Sequence, residues 1–264
     1  MNAPRRVRPE APARRGWCPG LSRPMPTGDG LLARIHPPLG ILSLAQARAI
    51  AEAARRFGNG HVDVTARANL QVRGVTDATR APLAAFLTAA GLGDARHDGG
   101  PQRLTLTSPS AGLDPDAPVD ALRLARTIEA LGLAVAHLPP KTLVLVDDGS
   151  PDLADLEADI HVRALSPGRT ALGLGTDDGP RWIAECDAAE AADAVAAILH
   201  AFARTGQRRM RDLSRDALSG IVASLPRTPF PPPQRGEGDA TRVPRRLSPS
   251  RPPSDAAPRT PSTA

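Results

Sequence analysis

Polar and apolar side chains alternate along residues 61–73, HVDVTARANLQVR. This period-2 pattern is typical of β-structure with one buried and one polar face. The planar guanidinium group of arginine suits carboxylate, sulfite or phosphate. The polar face therefore indicates either an anion-binding site or the solvated side of a two-layer sheet. The polar positions of interest are Thr65, Arg67, Asn69, Gln71 and Arg73.

A ferredoxin-like unit is predicted to position this face. Because residues 61–75 are long for one strand, two strands with a tight turn near Arg67–Asn69 are expected. The other predicted elements of the unit are a strand at Gly30–His36, a helix from Ser43 to Gly58, a helix over 77–90 and a strand at Arg103–Thr107. The order β-α-β-β-α-β is the ferredoxin-like pattern.

A second set of elements follows, and the fold class is predicted to be α+β with antiparallel sheets. The sequence Asp-Asp-Gly occurs at 147–149 and again at 177–179, and each is expected to close a hairpin. Helices are expected over 118–131, 188–204 and 211–224, with strands near 141–147, 158–164, 170–174 and 180–186.

Charge and composition separate the folded region from its two ends. The chain carries +5 overall, but residues 1–15 and 227–264 each carry +4, so residues 16–226 carry −3. The predicted organisation is a disordered leader (1–15), folded regions at 16–95 and 96–226, and a disordered Pro/Arg-rich tail (227–264). The basic charge lies in aromatic-poor ends, so no nucleic-acid partner is expected.

The remaining signals exclude several classes of protein. No apolar run approaches the roughly 18 residues of a membrane span, and no secretory signal precedes the folded region. A cytoplasmic protein without a membrane partner is therefore expected. The only two cysteines, Cys18 and Cys186, cannot hold an iron–sulfur cluster alone. No metal site is predicted, because His61 and Asp63 have no marked third ligand.

Three segments carry a family resemblance: RRGWCPGLSRPMPTGDGLLARI (14–35), FGNGHVDVTARANLQVRGV (57–75) and RLTLTSPSAGLDP (103–115). They resemble the siroheme nitrite/sulfite reductase superfamily, and the Cys-Pro-Gly-Leu opening resembles its precorrin-3B synthase branch. The resemblance covers residues 14 to about 226, and this region is similar to the N-terminal half of these two-half proteins. It implies that 16–95 is the ferredoxin-like half-domain and 96–226 the reductase-like α+β domain.

The resemblance also implies roles for individual residues. Arg67 matches the first anion-binding arginine, with Thr65, Asn69 and Gln71 in its motif. Arg103 matches the second, although Leu104 follows where the family usually has Asn. Lys141 is the one lysine among 33 basic residues and matches the Leu-Pro-x-Lys motif. The reductases carry another lysine at the position of Leu143, which favours the tetrapyrrole-oxidising branch. No catalytic residue is assigned.

The implied activity is the O2-dependent hydroxylation and lactonisation of precorrin-3A to precorrin-3B in aerobic cobalamin biosynthesis. One oxygen atom enters the meso carbon between rings A and D, and the ring A acetate closes a γ-lactone. The resemblance implies a [4Fe–4S] cluster, a mononuclear iron, and electrons derived from NADH through a donor protein or reductase. The expected ligand is a tetrapyrrole with many carboxylates.

The cluster ligands of the family, a C-x5-C and a C-x3-C pair, are absent from this sequence. The hypothesis is that the sequence is truncated before them and that 227–264 is out-of-frame or non-homologous; a natural disordered tail is the alternative. A missing C-terminal half is then an expected partner. Two other functions stay open: a fragment of a siroheme-dependent nitrite or sulfite reductase, and a non-catalytic tetrapyrrole-binding half-module.

Overall fold

A four-stranded antiparallel sheet forms the first part of the protein. It was characterised in a computed structural model that describes residues 18–149, 153, 156–223 and 225, all within the unit Met1–Pro233. The strands lie in the order β1-β2-β4-β3. Their bounds are β1 Met25–Thr27, β2 Gly30–Ile35, β3 Val62–Val64 and β4 Leu70–Val75.

Two helices, α1 (Leu44–Phe57) and α2 (Arg80–Ala89), pack on one face of this sheet. Helix α1 begins with a capping box in which Ser43 and Gln46 exchange side-chain to main-chain hydrogen bonds. Ala33 and Ile35 of β2 and Val72 of β4 point into the core beneath the helices. Because side chains alternate along strands, the residues between them face away from the helices.

A tight turn joins β3 to β4 where the sequence predicts one. The Thr65 amide donates to the Asn69 carbonyl oxygen at 2.9 Å, and the Ala68 amide donates to the Thr65 carbonyl oxygen at 2.9 Å. The Thr65 Oγ1 atom accepts from the Asn69 amide at 3.1 Å. Ala68 has φ 49°, a left-handed conformation that is uncommon for a residue with a Cβ atom.

The second sheet has five strands in the order β5-β6-β7-β8-β9. Helices α3 (Ala121–Leu133), α4 (Ala188–Thr205) and α5 (Arg215–Ala223) contribute to the large core beside it. None of the helices formed by the described residues combines the length and hydropathy that crossing a bilayer requires. The strands are β5 Thr105–Thr107, β6 Val144–Asp147, β7 Ile160–Ser166, β8 Arg169–Thr176 and β9 Gly179–Asp187.

The α+β class is confirmed, but the second sheet is mixed and not fully antiparallel. Strands β5, β6 and β7 run parallel, whereas β7, β8 and β9 run antiparallel. Helix α3 connects β5 to β6, and such a crossover returns the chain to pair in the parallel direction. The strand predicted at 103–107 is present as β5 but belongs to the second sheet, so the prediction that it completes the β-α-β-β-α-β unit is wrong. The edge of the first sheet beside β2 is occupied instead by β1, which the sequence analysis did not predict.

One of the two predicted hairpins is present. Residues 177–179 join antiparallel strands β8 and β9, as expected. The other prediction is wrong, since β6 pairs with β7 in parallel. Asp147 instead accepts from the Gly149 amide at 2.8 Å and forms an ion pair at 3.0 Å with Arg163 on the neighbouring strand β7. The domain boundaries 16–95 and 96–226 stay predictions, and the leader 1–15 and tail 227–264 lie outside the described residues.

Candidate functional site

A cavity of about 320 Å³ lies between the polar side of the first sheet and the segment before β6. Five cationic side chains line this cation cavity, and none of the described residues around it is a carboxylate. A larger recess of about 370 Å³ beside α3 includes Arg126 and Glu129 but no such convergence of positive charge. The cation cavity is therefore the candidate site. Its cations are Arg34, Arg67, Arg103, Lys141 and Arg209.

Arg34 of β2 and His36, which follows the strand directly, line the cavity, and the sequence predictions missed both. Arg34 lies opposite Gln71 in the register of β2 and β4. With its amide oxygen turned toward Arg34, Gln71 accepts from Nη2 at 2.7 Å and from Nε at 3.1 Å. Burial lowers the pKa of Arg34. Gln71 thus orients a cavity arginine and does not line the cavity itself.

Arg67 projects from the β3–β4 turn and is half-buried. Its Nη1 atom donates to the Lys141 carbonyl oxygen at 3.4 Å, a long contact that leaves most of the guanidinium group available. Burial lowers the pKa of Arg67, and the neighbouring charge of Arg209 lowers it further. An anion bound here would relieve this repulsion, so the electrostatics favour a negatively charged ligand.

Arg103 supports the same turn from below. Its side chain is 8% exposed and donates to the main-chain carbonyl oxygens of Arg67 and of Ala68, the latter at 3.3 Å. Burial lowers its pKa to about 10, against the opposing effect of the buried carboxylate of Glu129. Arg103 therefore holds the backbone that carries Arg67 and also lines the cavity.

The segment before β6 borders the cavity and contains one exposed cationic residue and one buried apolar residue. Lys141 is exposed, whereas Leu143, at the position where the reductases are expected to have a second lysine, is 4% exposed and packs in a small core cluster with Leu106 and Leu145. The Leu143 amide donates to Asp159 Oδ2 at 3.0 Å. Asp159 Oδ1 accepts from Arg209 Nε at 3.0 Å and from the Met210 amide at 2.8 Å. Arg209 thus forms an ion pair with Asp159, whereas the same carboxylate acts on Arg67 only as a neighbouring charge.

Four of the six predicted site residues line the cavity, namely Arg67, Asn69, Arg103 and Lys141. Thr65 and Gln71 are not among the lining residues: they fix the turn and orient Arg34. The sequence GLLARIH could have indicated that Arg34 and His36 share the polar side of the strand, because they alternate with the core residues Ala33 and Ile35. Arg209 lies far along the chain, and nothing in its local sequence indicates the cavity.

The cysteines do not fit an iron–sulfur cluster. A [4Fe–4S] cluster takes four thiolates, and the sequence contains two cysteines. Cys18 lines the cation cavity, whereas Cys186 is 3% exposed in the core of the second sheet, with Sγ 3.3 Å from Thr170 Oγ1. No group of three His, Cys, Asp or Glu among the described residues could hold a metal ion. The cysteines of this sequence therefore do not provide a complete ligand set for a [4Fe–4S] cluster.

Comparison with known protein families identifies the class of the first sheet. Residues 23–90 match the family model described as the nitrite/sulfite reductase ferredoxin-like half domain. The matched region contains β1–β4, α1 and α2, so the similarity falls on the first sheet and its two helices. The Mycobacterium tuberculosis NirA protein has the same fold at a TM-score of 0.57, with 22% identity over 74% of this chain and 38% of NirA.

Among individual proteins, the chain is similar to a precorrin-3B synthase from Sinorhizobium sp. The two are 41% identical over 160 residues, which is 59% of this chain and 34% of the relative. A ferredoxin–nitrite reductase from Leptolyngbya laminosa is 33% identical over 114 residues, 43% of this chain and 22% of that enzyme. The one from Synechococcus elongatus is 29% identical over 159 residues, 57% of this chain and 30% of that enzyme. The matches span about a third or less of each relative, and the relatives are oxidoreductases.

Proposed function

We propose that this chain provides tetrapyrrole-binding structure for a precorrin-3B synthase of aerobic cobalamin biosynthesis, acting in the cytoplasm. The observation that carries the proposal is the 41% identity over 160 residues to a precorrin-3B synthase. The proposed reaction is the O2-dependent hydroxylation of precorrin-3A at the meso carbon between rings A and D, with closure of a γ-lactone by the ring A acetate.

The cation cavity supports this substrate because precorrin-3A carries many acetate and propionate carboxylates. Arg67 and Lys141 offer donors to such carboxylates, and Arg103 adds positive charge beneath them. Each charge-assisted hydrogen bond contributes about 1.5–3 kcal/mol. The role of this chain is thus to bind and orient the ring through its carboxylates.

Electrons and oxygen activation must come from groups that this chain does not hold. Side chains cannot supply one-electron chemistry, so a redox cofactor is required. If a [4Fe–4S] cluster takes part, its thiolates come from cysteines that this sequence does not contain. We propose a C-terminal half as the partner that carries them, a mononuclear iron as a further group, and an NADH-linked donor protein or reductase as the electron source.

A nitrite or sulfite reductase is the second candidate, and the similarity to two ferredoxin–nitrite reductases favours it. Leu143 argues against it, because it places an apolar side chain where those enzymes are expected to use a second lysine. The remaining alternative is a half-module that binds a tetrapyrrole without turnover. The three functions predict different ligands and products, so one set of assays separates them.

The test uses the full chain, alone and co-expressed with a separately encoded C-terminal half of a precorrin-3B synthase. Precorrin-3A, O2 and a reductant are supplied, and products are followed by mass spectrometry. A product one oxygen atom heavier, seen only with both halves, supports the proposal. Precorrin-3A binding without turnover in any combination favours the non-catalytic module. Siroheme retention with nitrite or sulfite reduction, and no precorrin-3A binding, would replace the proposal with the reductase function.

A further inference from the structure

His36 is a titratable side chain of the cation cavity to which the proposed function gives no role. It follows β2 directly, on the same side of the strand as Arg34, and it is half-buried. Its Nδ1 atom is buried and makes no hydrogen bond with any described residue. A buried polar atom without a protein partner is uncommon in native structures and calls for a physical explanation.

Positive charge surrounds this imidazole. Arg34 lies two residues earlier on β2, and Arg103 approaches from the residues before β5. The only acidic group that acts on it among the described residues is Asp94, after α2. Asp94 is already engaged: it accepts from the Leu21 amide at 3.0 Å, the Ser22 amide at 2.8 Å and the Ser22 hydroxyl at 2.6 Å.

The protonation state of His36 follows from these neighbours. Burial, followed by Arg34, lowers its pKa to about 4; Asp94 raises the value and Arg103 lowers it again. The imidazole is therefore neutral in the free protein near neutral pH. The other titratable or charged residues of the cavity are Arg67, Lys141, Arg209 and Cys18. The arginines among them stay protonated near neutral pH, so they do not exchange protons there.

An anion in the cavity would change this balance, because its negative charges would offset the guanidinium groups that now disfavour a protonated imidazole. We propose that His36 takes up one proton from solvent when a polyanionic ligand occupies the cation cavity, so that the complex holds an imidazolium beside the ligand. No other bond changes in this step. The inference rests on the proposed function only in requiring that the cavity binds an anion.

Linkage gives the expected pH dependence. At pH 6 about one molecule in a hundred of the free protein carries a protonated His36, given its pKa of about 4. If the complex binds more protons than the free protein, affinity rises as pH falls, by up to about ten-fold per pH unit between the two pKa values of His36. If binding were not coupled to protonation of His36, the affinity would lack this dependence on pH.

The test measures proton uptake directly. The full chain is titrated with sulfate and with uroporphyrin, an octacarboxylate porphyrin, by calorimetry at pH 6.5 in buffers of different ionisation enthalpy. The expected uptake is about one proton per ligand in the unmodified protein and near zero in His36→Asn. His200→Asn, which changes an exposed histidine of α4, is the matched control and should keep the uptake.

A second measurement, nuclear magnetic resonance of the imidazole nitrogens, needs only the unmodified protein and therefore tests the inference even if His36→Asn does not fold. In the unmodified protein the His36 resonances should report a neutral ring without ligand and a protonated ring with saturating sulfate at pH 6. An unchanged neutral ring with the ligand bound, or equal uptake by the two histidine variants, would overturn the inference.

The two proposals can fail separately. Sulfate binding with proton uptake, but without uroporphyrin or precorrin-3A binding, would support the inference and contradict the proposed substrate. Uroporphyrin binding without proton uptake would contradict the inference alone. Absence of binding by both anions would overturn both the inference and the assignment of the cation cavity.

Discussion

Arg103 donates a hydrogen bond from its guanidinium group to the main-chain carbonyl oxygen of Arg67. One cationic residue of the cavity therefore holds the backbone of another. The same guanidinium group donates to the Ala68 carbonyl oxygen at 3.3 Å and is largely buried, whereas Arg67 is half-exposed. Two arginines that the sequence places in one role thus differ in their structural contribution, and their substitutions should have different effects.

Arg67→Ala is expected to weaken ligand binding and to leave stability almost unchanged. Its side chain makes a single long hydrogen bond to Lys141 within the described structure, so folding depends little on it. Loss of a charge-assisted hydrogen bond to a carboxylate should cost about 1.5–3 kcal/mol of binding. Fluorescence titration with uroporphyrin measures the affinity, and Arg48→Ala on the exposed side of α1 is the control. Equal affinities for the two variants would remove Arg67 from the site.

Arg103→Ala is expected to reduce both stability and ligand affinity. It removes two hydrogen bonds to the turn and the positive charge near the buried carboxylate of Glu129, at a cost of about 3 kcal/mol of unfolding free energy. Urea denaturation followed by circular dichroism measures this loss. Arg103→Lys keeps the charge without the forked geometry and should be intermediate. A stability equal to that of Arg67→Ala would contradict the supporting role.

The unmodified protein is expected to lose stability as pH rises and Glu129 ionises, and Glu129→Gln is expected to abolish this loss. Glu129 accepts from the Leu104 amide at 3.0 Å and the Thr105 amide at 2.7 Å, and burial raises its pKa. The folded protein then binds more protons than the unfolded chain, in which glutamate titrates near about 4.3. The contribution of Glu129 to the free energy of unfolding is therefore fully present below the pKa of the unfolded chain. It is lost as pH rises through the raised pKa of the folded protein.

The measurement is the difference in unfolding free energy between Glu129→Gln and the unmodified protein from pH 4 to pH 8. The difference should move in favour of the glutamine variant as pH rises, because glutamine keeps an acceptor oxygen without a charge. A difference that moves the other way would mean that the hydrogen bonds from Leu104 and Thr105 outweigh the burial of the carboxylate.

Gly175→Ala is expected to destabilise the second sheet by about 1–3 kcal/mol. A Cβ atom at Gly175 would overlap the Ala158 carbonyl oxygen, a main-chain atom that cannot move independently. Gly220→Ala is the matched control, since a Cβ atom there meets open space on α5 and helical alanine is favoured over glycine by up to about 1 kcal/mol. Thermal unfolding should show a lower Tm for the first variant and an unchanged or higher Tm for the second.

The strands that carry the polar face were predictable because their signal is local. Alternation over residues 61–73 indicates β-structure, and its length favours two strands joined by a turn, which the structure has at Thr65–Asn69. The same reasoning applies to β2 and the residue after it, where Arg34 and His36 alternate with buried Ala33 and Ile35. Those two residues were missed because their alternating run is short and carries few polar positions.

The convergence of distant segments was not predictable from local patterns. Arg209 reaches the cavity because Asp159, the residue before β7, accepts hydrogen bonds from both its side chain and the Met210 amide. Strand direction in the second sheet likewise depends on the path of α3, and the local Asp-Asp-Gly sequence at 147–149 does not reveal it. Such pairing between distant segments depends on how the core packs, and the local sequence around each residue does not reveal that packing.

Lys141 is the one lysine of the sequence and is exposed at the edge of the cavity. An amine-selective reagent therefore has one side-chain target in the whole chain, in addition to the α-amino group. A fluorophore attached there stands beside Arg67, whose guanidinium group contacts the Lys141 main chain. Because labelling consumes the amine that would contact a ligand, occupancy of the cavity can be followed, without any engineered residue, by the protection of Lys141 from the reagent.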